Sequence, residues 1–391
     1  MNIVIVSPNS LLTLRGSEQF VLETTRQFSR YPGVKTSIVT FRRKYSAENL
    51  SRLSQDEVKS RVRLIYTALK PGSWTEFRWL SYKIFRRERV FGHLNRLMEF
   101  VPPDRNLMKV LRRADRIYFV TWRPEDLLAF LPVAFLAGRR HVVAGVHSRM
   151  LLRRPEIAIL TLWTRLGVLR AFHTVDPQST RLFGTVRTKV VQIPNGVDCD
   201  LFRPGEKVKG EFVVLFAGSS HPAKGADLLP AIHAGIRSSN VPGITMWVCT
   251  SETGQLGKEI LAWTRGKSDV VYKGWLSRSE LAVAYRRASV LLMPSRREIQ
   301  SLANLEAQAS GTPVIASDLP NLRVSIKDGV TGFMVRDFKA SAFVEKVVQL
   351  HSLWLQGQPY QRMCTEARKN AIENFAAPVS SGRLLSLLSG A

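Results

Sequence analysis

The chain has 391 residues, 45% apolar and 23% charged, which is an ordinary globular balance and enough length for two domains with full cores. Its three cysteines, Cys199, Cys249 and Cys364, are scattered and odd in number, which argues against a disulfide framework or a cysteine metal cluster and for a reducing compartment. The formal net charge is +26, and residues 1–190 supply +20 of it with 34 basic against 14 acidic residues, so a polyanion such as anionic lipid, an acidic acceptor or nucleic acid is the expected counterpart.

The opening MNIVIVSPNS lacks the basic start and long apolar core of a signal peptide, and Asn2–Val6 reads as a buried strand. A polar loop runs to Gly16. A helix is then expected from about Ser17 to Ser29, with Phe20, Val21, Leu22 and Phe28 inward. Gly16 allows close backbone approach to a ligand, although an ordinary turn glycine reads the same way. Lys35–Phe41, Val62–Thr67, Ile117–Val120 and His141–Val146 read as further strands. Strands alternating with helical stretches predict a parallel, helix-covered sheet. No G-x-G-x-x-G follows the first strand, which weighs against a dinucleotide dehydrogenase. The apolar run Leu127–Ala137 is too short to span a bilayer and contains Pro132.

Residues 72–115 differ from the rest. Phe77, Leu80, Ile84, Phe91, Leu94 and Met98 recur as on one helix face, with Trp74, Arg78, Trp79, Lys83, Arg86, Arg87, Arg89 and Arg96 around them. Such a helix suits a membrane interface. A helix packed on its own sheet with a solvated basic back gives the same pattern, and the overall basicity favours the membrane. His147 closes the strand in GVHSRM, the strand end that faces the crevice of an open α/β sheet.

Val190–Ile193 reads as the last strand of the first half. IPNGVDCDLFRP then contains an Asn-Gly turn signal. The alternation restarts at Phe212–Ala217, followed by Gly218-Ser219-Ser220-His221-Pro222-Ala223-Lys224-Gly225 and an expected helix from Ala226. A glycine after a strand and a lysine at a helix N-terminus suit a diphosphate, while a solvated loop lysine is the plainer reading. Ile244–Cys249 and Val270–Tyr272 read as strands, and Lys273-Gly274-Trp275-Leu276 precedes a helix over Ser279–Ala288. The tail from Ala340 is helical in pattern, with a break expected at Pro378.

Pro294 to Ser317, PSRREIQSLANLEAQASGTPVIAS, organises the rest. It lies after the strand Ser289–Met293 and holds Glu298 in a loop and Glu306 inside a helix expected to start near Ser301 and end at Gly311. Thr312–Ala316 reads as the next strand. By spacing alone these are one loop carboxylate and one solvated helix carboxylate. Ser301 can cap the helix and offer its hydroxyl to a phosphate.

The flanks of the two glutamates resemble the E-x7-E signature of retaining glycosyltransferases of family 4, and the resemblance extends over most of the chain. It implies an α/β GT-B fold: two Rossmann-like parallel-sheet domains facing a central cleft. It further implies an acceptor-binding domain over 1–198, a nucleotide-sugar domain over 199–374, and a C-terminal helix over 375–391 crossing back to the first domain. IPNGVDCDLFRP matches the family's interdomain segment.

Carried over residue by residue, Glu298 positions the sugar hydroxyls, Glu306 holds the ribose, and Lys224 meets the diphosphate. His147 hydrogen-bonds the donor sugar. Gly16, Gly218, Ser219, Gly274, Ser301 and Leu302 complete the donor site. Arg15, Trp79, Lys83, Arg86, Arg87 and Arg89 are the membrane or acceptor candidates. Several positions depart from the family pattern: Arg15 and Ser219 replace a glycine and an arginine, and Ile299-Gln300 replaces a glycine-containing loop. Arg15, His221, Arg296 or Arg297 are candidates to supply the missing phosphate cation.

The implied reaction is retaining transfer from a nucleotide sugar to a lipid-linked or glycan acceptor, without metal or other cofactor. Its expected place is the cytoplasmic face of an anionic membrane, peripherally attached. The competing expectation is a GT-B homologue without activity, acting as a binding or partner subunit. Nucleic acid is not an expected partner, because no recognised module accompanies the charge.

Overall fold

The computed structural model describes residues 1–7, 16–41, 62–67, 105–121, 124–139, 141–147, 152, 154–208 and 210–390. The chain divides into two compact units. One is Met1–Pro194 with Ser380–Ala391, and the other is Asn195–Val379.

The first unit contains β1 (Asn2–Ser7), α1 (Gly16–Phe28), β2 (Lys35–Phe41), β3 (Val62–Thr67), α2 (Arg105–Arg113), β4 (Arg116–Thr121), α3 (Pro124–Leu136), β5 (Val142–Val146), α4 (Arg154–Arg165), β6 (Leu169–Thr174), α5 (Pro177–Phe183) and β7 (Lys189–Gln192). The strands pair in the order β3-β2-β1-β4-β5-β6-β7. Every pairing is parallel.

Successive strand side chains point to opposite faces, so β1 feeds two cores. Val4 and Val6 pack with Phe119, Phe130 and Leu131 on one face. Ile3 and Ile5 pack with Phe20, Phe28 and Tyr118 on the other. A sheet buried on both faces needs near-continuous apolar strands, which β1, β4 and β5 supply. Asp176 caps α5, its Oδ1 accepting from the Gln178 and Ser179 N–H groups at 2.9 Å each.

The second unit contains β8 (Phe212–Ala217), two 3-10 turns (Pro222–Lys224 and Ala226–Leu228), α6 (Leu229–Ser238), β9 (Ile244–Cys249), α7 (Gly254–Thr264), β10 (Val270–Tyr272), α8 (Arg278–Arg287), β11 (Val290–Met293), α9 (Leu302–Ala309), β12 (Val314–Ser317), β13 (Gly332–Val335), α10 (Ala340–Gln356) and α11 (Gln358–Phe375). The parallel strand order is β10-β9-β8-β11-β12-β13, so both units repeat one doubly wound pattern. The order reverses between β8 and β11. The loops leaving the C-terminal ends of these two neighbours are those that carry Lys224 and Glu298.

A last helix, α12 (Ala377–Ser389), ends the chain. The break before it falls at Ala376, whose extended backbone bridges Val197, and not at Pro378. Proline is tolerated in a first helical turn, where its missing N–H has no partner to lose. A second break, at Gly357 with φ +76°, separates α10 from α11. Leu384, Leu387 and Leu388 of α12 join Ile3 and Ile5 in the first unit's core. Arg116 Nε donates to the Leu388 carbonyl at 2.6 Å.

Candidate functional site

The second unit gathers its charged groups at the β8–β11 edge. Lys224 Nζ donates to both carboxylate oxygens of Glu298 at 2.8 Å. Ser295 Oγ donates to Glu298 Oε1 at 2.9 Å, and Asn321 Nδ2 donates to the Glu298 main-chain carbonyl at 2.9 Å. The Glu298 side chain is 4% exposed and that of Lys224 is 35% exposed, so the carboxylate is a buried anchor and the ammonium meets solvent.

The expected helix start at Ala226 is corrected here. Gly225 takes a left-handed φ of +72°, the chain makes two 3-10 turns, and the α-helix begins only at Leu229. The cause is close packing. A Cβ on Gly225 would lie 1.8 Å from the Pro294 carbonyl oxygen, so the turn holding Lys224 is pressed against the loop holding Glu298. The Arg296 N–H seals the contact by donating to the Ala223 carbonyl at 2.8 Å.

Of the candidate substitute cations, His221 is used as a cap, its Nδ1 accepting from the Ala223 N–H at 3.0 Å. Arg296 is held by Asp227 through two hydrogen bonds of 2.6 and 2.7 Å. Arg297 is exposed and has no ion pair among the described residues. Gly218 ends β8. A Cβ there would meet nothing closer than 3.5 Å, so the protein's own packing does not require this glycine. Ser219 beside it is half-buried.

Ser301 caps α9, its Oγ accepting from the Asn304 N–H at 3.3 Å, and Leu302 opens the helix half-buried. Glu306 lies one turn further in. It is buried rather than solvated, and Arg278 at the start of α8 reaches it at 3.2 Å. Burial raises the Glu306 carboxyl to about 7, against the opposing pull of the Arg278 charge. Arg278 also lies over the Phe202 ring, 5.0 Å from its centroid. Gly274 turns the preceding loop with φ +67°, and Trp275 beside it is exposed.

In the first unit His147 directly follows β5 and is buried against Phe20, with ring centroids 4.2 Å apart. Its Nε2 is 2.9 Å from the Tyr118 hydroxyl. Gly16 is the first residue of α1. Arg15, Trp79, Lys83, Arg86, Arg87 and Arg89 lie outside the described residues, as does the whole stretch 72–98. No group of His, Cys, Asp or Glu among the described residues is arranged to hold a metal ion.

Four contributors escaped the sequence reading: Arg278, Ser295, Asn321 and Tyr118. Ser295 stands in the motif and was readable as a donor three residues before Glu298. Arg278 and Asn321 act from other loops, and no local spacing connects them to their glutamates.

The fold class of the chain is GT-B. Residues 211–352 match the family model of group 1 glycosyl transferases. The solved glycosyltransferase from Rickettsia africae aligns over 100% of this chain and 98% of its own, with a TM-score of 0.75 at 15% identity. HepE of Anabaena, solved with UDP and glucose, aligns over 100% of both chains with a TM-score of 0.72 at 15% identity. Among curated proteins, the D-inositol 3-phosphate glycosyltransferase of Segniliparus rotundus is 32% identical over 199 residues, covering 47% of this chain and 42% of the relative. The enzyme of that name from Mycobacteroides abscessus is 28% identical over 237 residues, covering 57% and 50%. The chain thus spans about half the length of the curated relatives it matches.

Proposed function

We propose that the protein is a retaining glycosyltransferase that moves a sugar from a nucleotide-sugar donor to a lipid-linked or glycan acceptor. One observation carries the reading: the solvent-facing Lys224 ammonium is clamped on the buried Glu298 carboxylate at the strand-order reversal, in the loop that feeds α9, and a buried Glu306 lies one turn inside that helix. An α/β sheet binds phosphorylated ligands at that edge. Lys224 neutralises charge on the leaving diphosphate as the glycosidic bond breaks, with Arg297 as the second cation. Glu298, already aligned by Lys224 and Ser295, accepts from sugar hydroxyls with its remaining lone pairs. Glu306 accepts from the ribose hydroxyls, and the small Gly218 leaves room for the phosphates. His147 hydrogen-bonds the transferred sugar. The acceptor attacks the face the diphosphate leaves, so no enzyme nucleophile is needed, and Lys224 and Arg297 rather than a metal offset the leaving charge.

The docking partner we propose is an anionic membrane at its cytoplasmic face. Ile159 and Leu162 of α4 and Leu166 just past its end are exposed at i, i+3 and i+7, and Phe135 and Leu136 of α3 are exposed as well. Phe135 packs on Trp163, with ring centroids 5.9 Å apart, which joins the two helices into one apolar surface. Arg154 and Arg165 are exposed on the same α4. Apolar side chains beside arginines suit an interface of acyl chains and anionic headgroups. Among the described residues no helix is long and apolar enough to cross a membrane.

The test is release of nucleoside diphosphate from UDP-, GDP- and ADP-sugars, with and without inositol phosphate and lipid-linked acceptors, followed by NMR of the product's anomeric centre. Transfer with the donor's configuration kept supports the proposal. Inversion contradicts it. Neither transfer nor donor hydrolysis by the folded protein leaves the binding-subunit reading.

A further inference from the structure

Where the resembling family has a glycine-containing loop, this chain has Ile299-Gln300, and a loop without glycines is less free to bend around a ligand. Two side-chain amides hold it in shape. Within the second unit, Gln300 Oε1 accepts from the Asn195 N–H at 2.5 Å. Asn321, in the loop after β12, donates from Nδ2 to the Glu298 main-chain carbonyl at 2.9 Å. The loop is therefore tied by its main chain at Glu298 and by a side chain at Gln300. Asn321 is buried, and its Oδ1 has no partner among the described residues. A buried oxygen without a partner costs stability. What this amide supplies is the N–H that faces the Glu298 carbonyl, which can only accept.

The turn that carries Asn321 is itself anchored to the helix of Glu306. Asn304 and Gln308 stand one turn apart on α9, and Glu306, two residues from each, lies about 200° round the helix from both. Asn370 Nδ2 of α11 donates to Gln308 Oε1 at 2.9 Å, Gln308 Nε2 to Asn304 Oδ1 at 2.7 Å, and Asn304 Nδ2 to Ser325 Oγ at 2.7 Å. The Ser325 carbonyl accepts from Gln308 at 2.8 Å and from Asn370 at 2.9 Å. All four side chains are buried, and a partnered polar chain in a core fixes one arrangement. Asn321 and Ser325 share one short turn, closed by the Leu322 N–H to the Leu319 carbonyl at 2.9 Å and the Ser325 N–H to the Leu322 carbonyl at 3.0 Å. That turn joins the main chain of Glu298 to the back of the helix that carries Glu306.

We propose that Gln300 and Asn321 are positioning residues that hold the Glu298 loop in its working shape, with the turn 319–325 setting the placement of Glu298 relative to Glu306. The assignment of a sugar to Glu298 and a ribose to Glu306 rests on the function proposed above; the clamp on the loop does not.

The test is amide hydrogen exchange over residues 294–301 in the unliganded protein, followed by Kd values for UDP, GDP, ADP and their sugar conjugates. Gln300→Met and Asn321→Leu each remove one tie at nearly constant size. Exchange should quicken about tenfold in both, with Tm almost unchanged. Gln300→Glu keeps an oxygen for the Asn195 N–H and should retain wild-type exchange. In Gln300→Met and Asn321→Leu the sugar conjugate should bind about tenfold more weakly, while the nucleoside diphosphate stays within about threefold of the wild type, since Lys224 and Glu306 remain. Gln300 is only half-buried, so Gln300→Met against Gln300→Glu decides the matter even where Asn321→Leu does not fold. Unchanged exchange in Gln300→Met and Asn321→Leu, exchange in Gln300→Glu as fast as in Gln300→Met, or equal loss of affinity for diphosphate and conjugate overturns the proposal. Quickened exchange with the sugar preference kept overturns it as well. The expected exchange in a protein that binds no nucleotide would overturn only the functional reading.

Discussion

Glu306 is ionised at a cost. Its carboxyl is raised to about 7 by burial, while Arg278 pulls the other way. The folded state therefore binds more protons than the unfolded chain between about pH 5 and 7. Stability from this group is present at the acid end and is lost as pH rises through about 7, by at most about 3 kcal/mol. Glu306→Gln removes the titration, so its unfolding free energy should vary less across that window, as measured by urea denaturation at a series of pH values. An equal slope in both proteins would contradict the assignment. Arg278→Ala leaves the carboxyl buried without its cation and should cost about 1–3 kcal/mol, less than for a fully buried pair because Arg278 is partly exposed. By spacing alone Glu306 read as a solvated helix carboxylate, and only the family resemblance gave it the ribose. The groups beside it, Arg278 and Tyr285, belong to α8, more than twenty residues earlier, so local periodicity could not show its burial.

At the scale of elements, the turn between β8 and α6 places the lysine. Gly225→Ala introduces both a left-handed alanine and a Cβ that runs into Pro294. The expected cost is about 2 kcal/mol or more, with Lys224 displaced from Glu298. Denaturation measures the first effect and loss of nucleotide affinity the second. The sequence marked the glycine and the lysine but predicted a helix from Ala226, because the Pro294 contact that forces the two 3-10 turns is non-local. In α12, Leu384 is buried among Ile3, Ile5 and Phe20. Leu384→Ala should therefore cost about 2–4 kcal/mol in thermal or urea unfolding, as core truncations do. The strands were the most legible elements, since a doubly buried parallel strand is an almost unbroken apolar run. Helices α3, α4 and α5 were not placed at all. Leu127–Ala137 was weighed only as a bilayer span, and α4 exposes part of its apolar side, which blurs its helical period.

The whole molecule repeats one doubly wound pattern, and that repetition was readable from the alternation of apolar runs with helical stretches. The charge asymmetry was equally plain, but the basic stretch 72–98 lies outside the described residues, and the exposed apolar side chains of α3 and α4 appear only once the helices are folded. If these dock on lipid, the protein should co-sediment with anionic vesicles, less so with neutral ones, and weaken as salt rises. Leu162→Glu with Leu166→Glu, both at exposed positions, should reduce that binding without lowering Tm; unchanged sedimentation would remove α4 from the docking surface.

The central claim is that the Lys224–Glu298–Glu306 edge binds a nucleotide sugar. Thermal unfolding with UDP, GDP, ADP and their sugar conjugates tests it most directly, on the wild type, Lys224→Ala and Glu306→Ala. A ligand at a hundred times its Kd stabilises the folded state by about 2.7 kcal/mol. One base should raise the Tm of the wild type by several degrees, with its sugar conjugate at least as effective, and should leave both variants unmoved. A well-folded wild type that responds to none of them, or variants that respond as strongly as the wild type, would contradict the account.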